Sequence, residues 1–159
     1  MAVSGMTGSG VTTLGNPSLS RLEYTGTEPT RAHPTDAGYD LRANLPAPVV
    51  IGPGERRLIP SGTHAAIPAG YAGLVTPRSG LAAKHGVTVL NSPGLIDPGY
   101  TGEIGVVLHN TDMADAFNVA PGDRVAQLVI VPVVTPPTVR AEKLPAAGRG
   151  DAGFGSTGR

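Results

Sequence analysis

A glycine or proline interrupts this chain about every four residues, and few architectures tolerate that spacing. The 159 residues hold 23 Gly and 16 Pro. Breakers at that frequency would stop most helices within a turn or two. It also lies near the level, roughly 25–30%, at which low complexity or disorder becomes the usual reading. Disorder, however, requires low hydrophobicity together with high net charge. Here 12 basic residues balance 12 acidic ones, and Leu, Ile, Val and Phe supply 37 positions. Val is the commonest of these four, which favours strands. An ordered, turn-rich all-β domain is the expectation.

Other classes fall away on simple grounds. No apolar run approaches the ~18 residues of a membrane span, and no basic segment followed by an apolar stretch marks a signal peptide. With no cysteine there are no disulfides, thiolate metal sites or Cys nucleophiles. A neutral chain lacks the basic footprint of nucleic-acid binding. The chain is expected to be soluble and intracellular (cytoplasmic), without direct nucleic-acid or membrane contacts.

Along the chain, residues 1–20 carry no charged side chain and read as a flexible leader outside the fold. A β domain is expected over residues 21–142. Its candidate strands are Arg21–Tyr24, Tyr39–Arg42, Val49–Ile51, Arg56–Ile59, Thr63–Ile67, Ala72–Thr76, Val87–Leu90, Glu103–His109, Phe117–Val119 and Val125–Val134. Turn signals such as Gly52-Pro53-Gly54, Pro60-Ser61-Gly62 and Pro121-Gly122-Asp123 separate them, at the spacing of a sandwich or barrel. Only Ser79–Lys84 reads as helical, with Ser79 as N-cap. Residues 143–159 hold one large apolar residue before Phe154 and read as a glycine-rich arm, disordered or functional.

Five segments carry chemistry. In Asp36-Ala37-Gly38-Tyr39-Asp40-Leu41-Arg42 an acid sits in a strand pattern, so Asp40 needs a partner: a metal-bound water, an Arg or a turn amide. Pro77-Arg78-Ser79-Gly80-Leu81-Ala82 places a cation, a hydroxyl and a helix start together. That set suits a phosphate, or equally an ordinary N-cap beside a solvated Arg. Asn91 to Glu103 contains Asp97-Pro98-Gly99-Tyr100, a type II turn signature, and reads as a hairpin gathering Asn91, Asp97, Tyr100 and Glu103. Such a group could recognise a ligand and supply a base. Gly122-Asp123-Arg124-Val125-Ala126-Gln127-Leu128 sets Gln127 in an apolar run, where it must be hydrogen-bonded, and Arg124 reads as an ion-pair partner. Gly148 to Gly158 combines Arg149, Phe154, Ser156 and Thr157 with freely rotating glycines. These are parts that could wrap a polyphosphate and stack a base, or form a plain flexible tail.

In this order, the stretches AGYDLRA, PRSGLA, NSPGLIDPGYTGEI, GDRVAQL and RGDAGFGSTG closely resemble the five motifs of the trimeric deoxyuridine triphosphate nucleotidohydrolases (dUTPases). They span Ala37 to Gly158. The resemblance implies a jelly-roll β fold with one short helix, and a homotrimer with an active site at each subunit interface, closed by the C-terminal arm. It implies Mg²⁺-dependent hydrolysis of dUTP to dUMP and pyrophosphate, which limits uracil incorporation into DNA and supplies dUMP for dTMP synthesis.

By the same resemblance Asp97 activates the attacking water. Asp40 holds a water on a Mg²⁺ that is otherwise coordinated by the substrate phosphates. Arg78, Ser79 and Gln127 bind phosphates, Arg149, Ser156 and Thr157 hold the outer ones, Phe154 stacks on uracil, and Gly80 and Gly155 belong to the substrate-binding set. Asn91 and backbone groups from Gly94 through Ile96 to Tyr100 read the base, while the Tyr100 ring packs on deoxyribose and excludes a 2′-hydroxyl. Position 152 is Ala where the family usually has Gly. A positive φ there would cost about 1 kcal/mol in arm closure. His33, His64, His85 and His109 match no motif and read as structural or solvated. Two other readings remain beside this one: a dCTP deaminase-type enzyme on the same fold, and a nucleotide-gated signalling or binding protein using the same pocket.

Overall fold

The computed structural model describes residues 21–145; the leader expected over residues 1–20, and the arm residues from 146 on, lie outside them. Ten strands and one helix follow in order: β1 (Glu23–Gly26), β2 (Gly38–Arg42), β3 (Val49–Ile51), β4 (Arg56–Ala66), β5 (Tyr71–Thr76), α1 (Ser79–His85), β6 (Val87–Val89), β7 (Gly94–Ile96), β8 (Glu103–Asn110), β9 (Phe117–Val119) and β10 (Arg124–Pro132). They form two four-stranded sheets, β1-β4-β8-β6 and β2-β10-β5-β7, and a small β3-β9 pair. Every pairing between named strands is antiparallel. No described helix is long and apolar enough to cross a membrane.

The two sheets enclose one core because each strand alternates. Along β8, Ile104, Val106, Leu108 and Asn110 point inward, while Glu103, Gly105, Val107 and His109 point outward. Leu41, Ile51, Ile59, Val119, Val125 and Leu128 complete the interior. Asn110 is the polar member of the inward row of β8. Its amide donates to the carbonyls of Ile51 (3.0 Å) and Asp115 (2.8 Å), so its burial leaves no group unpaired.

The structure departs from the sequence reading in four places. Arg56–Ile59 and Thr63–Ile67 form one strand, β4, rather than two. Pro60-Ser61-Gly62 spells a turn, but the chain passes through it as a bulge, with the pairing to β8 shifting register between Pro60 and His64. Buried side chains replace the missing ladder: the Ser61 hydroxyl donates to the Ile104 carbonyl at 2.6 Å, and the Thr63 hydroxyl donates to that of Thr27 at 2.8 Å. Secondly, Gly94–Ile96 is a strand in its own right. Thirdly, the stretch from Leu95 to Ile104 is not a paired hairpin. β7 joins β5 and β8 joins β4 and β6, so the turn between them carries the chain from one sheet to the other. Lastly, the N-cap of α1 is Arg78, in extended conformation, and no side chain caps the helix. Ser79 is the first helical residue, which leaves its hydroxyl outside the capping role.

Candidate active site

Two clusters of the expected site residues form, on neighbouring parts of one sheet. The first depends on strand register. Gln127 of β10 lies opposite Asp40 on β2 and opposite Thr76 on β5, so the three share one row and one face. Arg124 stands three residues before Gln127, and strict alternation would put it on the other face. A bulge between Arg124 and Ala126 corrects this, leaving Val125 and Ala126 both buried and Arg124 outward. The turn before it is tied down as well: Gly122 N–H donates to the Ala43 carbonyl, and Asp123 accepts the Ala120 N–H through Oδ2.

Asp40 is the centre of this cluster. Its side chain is only 8% exposed and faces two cations, with Oδ1 at 3.5 Å from Arg78 Nε and Oδ2 at 3.3 Å from Arg124 Nη1. Arg78 Nη1 also donates to the Arg124 carbonyl at 3.0 Å. Of the three partners left open by the sequence, the structure supplies arginine, twice, and bears out Arg124 as an ion-pair residue. Both contacts are longer than the ~2.7–2.9 Å of tight charge-assisted bonds, so charge more than hydrogen bonding holds the guanidinium groups. Two cations face this one anion, and Ser79 and Gly80 are exposed beside them. Arg78 and Arg124 share with Leu81, His85, Phe117, Asn118, Asp123 and Val125 a cavity of about 450 Å³.

The second cluster is the crossover loop. Asp97-Pro98-Gly99-Tyr100 closes as a turn through Tyr100 N–H to the Asp97 carbonyl at 3.2 Å, and Gly99 takes φ +84°, the value a type II turn requires at its third position. Leu95, Ile96, Asp97, Tyr100, Glu103, Ile104 and Gly105 line a cavity of about 240 Å³. The Asp97 carboxylate is exposed, with no hydrogen bond or ion pair among the described residues. β7 is the edge strand of its sheet, so its outer row of backbone N–H and C=O groups lies outside any ladder. Ile96 turns its side chain toward the core and can offer only backbone. Asn91 sits over Gly94, where an added Cβ would lie 3.3 Å from its Nδ2.

Glu103 behaves differently from its sequence neighbours: its Oε1 accepts the Gly62 N–H at 2.7 Å, a tie to β4. The two cavities share no lining residue. Arg149, Ala152, Phe154, Gly155, Ser156 and Thr157 lie outside the described residues. Sequence reasoning also missed Thr76, whose place beside Gln127 follows only from strand pairing.

A magnesium ion bound directly by protein does not suit this chemistry. No group of three or more His, Asp or Glu side chains is placed to hold a metal among the described residues. The set does fit an ion carried by substrate phosphates. Each Asp40 oxygen contacts one guanidinium and keeps a lone pair for a metal-bound water.

Residues 25–158 match the family model described as dUTPase. The chain is 51% identical over 130 residues to the deoxyuridine 5′-triphosphate nucleotidohydrolase of Leifsonia xyli, covering 82% of this chain and 84% of that protein. Among solved structures it superposes on a point mutant of Staphylococcus bacteriophage 80alpha dUTPase with dUpNHpp. There the TM-score is 0.80 at 31% identity, over 88% of this chain and 99% of that one. It also superposes on a point mutant of the dUTPase from phage phi11 of S. aureus, described with a structural Mg(II) ion. That match has a TM-score of 0.71 at 30% identity, over 79% and 99% of the two chains. The all-β jelly-roll with one short helix is thereby the fold of this chain as well.

Proposed function

The chain belongs to the dUTPase family, and from that premise we propose that it hydrolyses dUTP to dUMP and pyrophosphate at a site assembled from the two clusters above. One observation carries the reading: three segments far apart in sequence, holding Asp40, Arg78 and Gln127, meet at one end of the sheet β2-β10-β5-β7, while Asp97 leaves the edge strand β7 of the same sheet in a separate, exposed turn. The activity is that of a dUTP diphosphatase.

Asp97 takes a proton from water as the water oxygen bonds to the α-phosphorus. The bond from that phosphorus to the bridging oxygen breaks, and pyrophosphate leaves. A base positioned in this way contributes about 10²–10⁴-fold. Its free, exposed carboxylate suits the role. Arg78, Ser79, Gly80 and Gln127 hold the phosphates, with Arg149, Gly155, Ser156 and Thr157 added from the arm and Phe154 stacked on the base. Asp40 orients Arg78 and would hold a Mg²⁺ through a water; such an ion would supply positive charge to offset that of the phosphates. The free edge of β7, with Asn91, pairs with the polar edge of uracil. Cytosine presents the reversed donor and acceptor pattern and leaves buried groups unpaired, a mismatch able to discriminate by about 10⁴. Tyr100 packs on the sugar and leaves no space for a 2′-hydroxyl.

A homotrimer is part of this proposal. The outer face of sheet β1-β4-β8-β6 exposes Leu58 (68%) and Leu90 (48%), with Val107 paired to Leu58 and bonded through its carbonyl to Leu90. An apolar row of this kind favours association. Contact between copies would also bring the cradle of one chain to the loop of the next. In the cell this activity would keep uracil out of DNA and supply dUMP.

Pyrophosphate release by the purified protein from dUTP, dTTP, dCTP and UTP tests the reading. Turnover confined to dUTP is expected; comparable turnover of dTTP would overturn it. Ammonia release from dCTP would instead indicate a deaminase.

A further inference from the structure

The loop from Asp97 to Glu103 carries the recognition surface, and its own turn accounts for only part of its shape. Two ties from β4 hold its far limb. Glu103 Oε1 accepts the Gly62 N–H at 2.7 Å, and His64 Nδ1 lies 3.1 Å from the Thr101 carbonyl. A carbonyl can only accept, so that ring nitrogen is the donor. Gly62 and His64 sit in the β4 bulge, which releases the Gly62 amide from the ladder and lets it reach Glu103. The bulge is itself anchored, through Ser61 to Ile104 and through Thr63 to Thr27, so the ties lead back to the core.

Glu103 joins this anchor to the substrate side. Its carboxylate reaches the bulge, and its carbonyl accepts the Tyr100 hydroxyl at 2.9 Å. The hydroxyl end of the ring lies against Gly102, where an added Cβ would fall 2.5 Å from Tyr100 Oη and 2.6 Å from Cζ. Tyr100 is 45% exposed, so general packing contributes little to its placement. Its seat is made by one hydrogen bond and one missing side chain.

We propose that Glu103, braced by the Gly62 N–H beside the tie from His64 to Thr101, is a positioning residue for Tyr100, and that this brace, with Gly102, sets discrimination against ribonucleotides. The inference rests on the reading of Tyr100 as the wall against a 2′-hydroxyl. A wall excludes by repulsion, and repulsion works only if the wall does not yield. A ring freed to swing outward would admit the extra oxygen while the base and phosphate contacts stay as they are. The selectivity of the sugar pocket is thus held from the opposite sheet, by a strand that touches no substrate.

Kinetics of wild type, Glu103→Ala, Glu103→Gln and Gly102→Ala with dUTP and UTP test this. In Glu103→Ala the dUTP-to-UTP ratio of kcat/KM should fall about tenfold, through a raised KM for dUTP and a gain on UTP. Glu103→Gln keeps an oxygen that can accept the Gly62 N–H and should hold the ratio near wild type. Gly102→Ala displaces the ring from below and should lower the ratio by itself, so the test survives if Glu103→Ala does not fold. A merely structural role would lower activity on both nucleotides together and leave the ratio intact. An unchanged ratio in folded Glu103→Ala or in Gly102→Ala overturns the proposal. A wild type that turns over UTP as well as dUTP removes the Tyr100 reading itself, a distinct result.

Discussion

The cluster around Asp40, proposed to cradle phosphates, and the crossover loop, proposed to read the base, solve the same positioning problem with opposite materials. In the cradle, side chains act, and the backbone beneath them is a continuous ladder: Asp40, Gln127 and Thr76 occupy one row across three strands, and a bulge turns Arg124 onto their face. Opposite charges hold the arginines at 3.3–3.5 Å, close enough to place them and loose enough to let a phosphate draw them. In the loop, the backbone acts, at the free edge of β7 and through the turn at Gly99, and two groups of another strand, the Gly62 N–H and the His64 ring, hold it in shape. Charge binding tolerates small displacements because Coulomb attraction falls off slowly. Recognition by shape does not, which accounts for the second set of braces.

The contrast can be broken at either end. The largest effect is expected from Asp97→Asn, which should lose about 10²–10⁴-fold in kcat while dUTP still binds by calorimetry. Unchanged kcat would take Asp97 out of the base role. Next, Asp40→Asn removes the anion from between two arginines, and kcat/KM should fall about 10²-fold, the scale at which misplaced binding groups act. The same change in an Arg124→Ala background should cost less, because the pair acts as a unit. Full additivity would argue that Asp40 does not orient the arginines. In the loop, Gly99→Ala forces a side chain onto φ +84° and should lower stability by about 1 kcal/mol, read as a shift in the urea midpoint, with KM rising several-fold.

The smallest effect belongs outside both regions. Asp112 Oδ1 accepts the Asp115 and Ala114 N–H groups at 2.9 and 2.8 Å, and these bonds hold its carboxyl below the usual carboxylate range. A depressed carboxyl contributes stability above its unfolded pKa and loses it as pH falls through the folded one. Asp112→Ala should therefore lower Tm slightly at neutral pH, converge with wild type in acid, and leave kinetics untouched. A kinetic defect would mean that the site extends further than described.

Much of this was legible from sequence where local chemistry decides. β3 and β9 fall where their apolar runs lie, and Asp97-Pro98-Gly99-Tyr100 adopts the turn its residues prescribe. The need of Asp40 for a partner was also clear, although Arg124 lies 84 residues away and pairing of that range is written only in the fold. β7 escaped the strand candidates because it opens on Gly94 just after Ser92-Pro93, residues that spell a turn, and leaves only Leu95-Ile96 as an apolar run. The bulge in β4 was read as a turn, since Pro60-Ser61-Gly62 carries turn residues whose alternative use depends on hydroxyl partners in other strands. Glu103 was grouped with the recognition residues on spacing alone. Its Oε1 also accepts the Gly62 N–H from β4, a tie between distant segments that spacing could not show.

Cradle and loop line separate cavities within one chain, so the account requires that neighbouring copies bring them together. Co-refolding equal amounts of Arg78→Ala and Asp97→Asn chains, each inactive alone, measures this directly. If each site takes its cradle from one subunit and its loop from another, about a quarter of the sites regain both intact parts, and dUTPase activity returns to about that fraction of wild type. Activity that stays at the level of the separate variants would place the whole site within one chain and contradict the account.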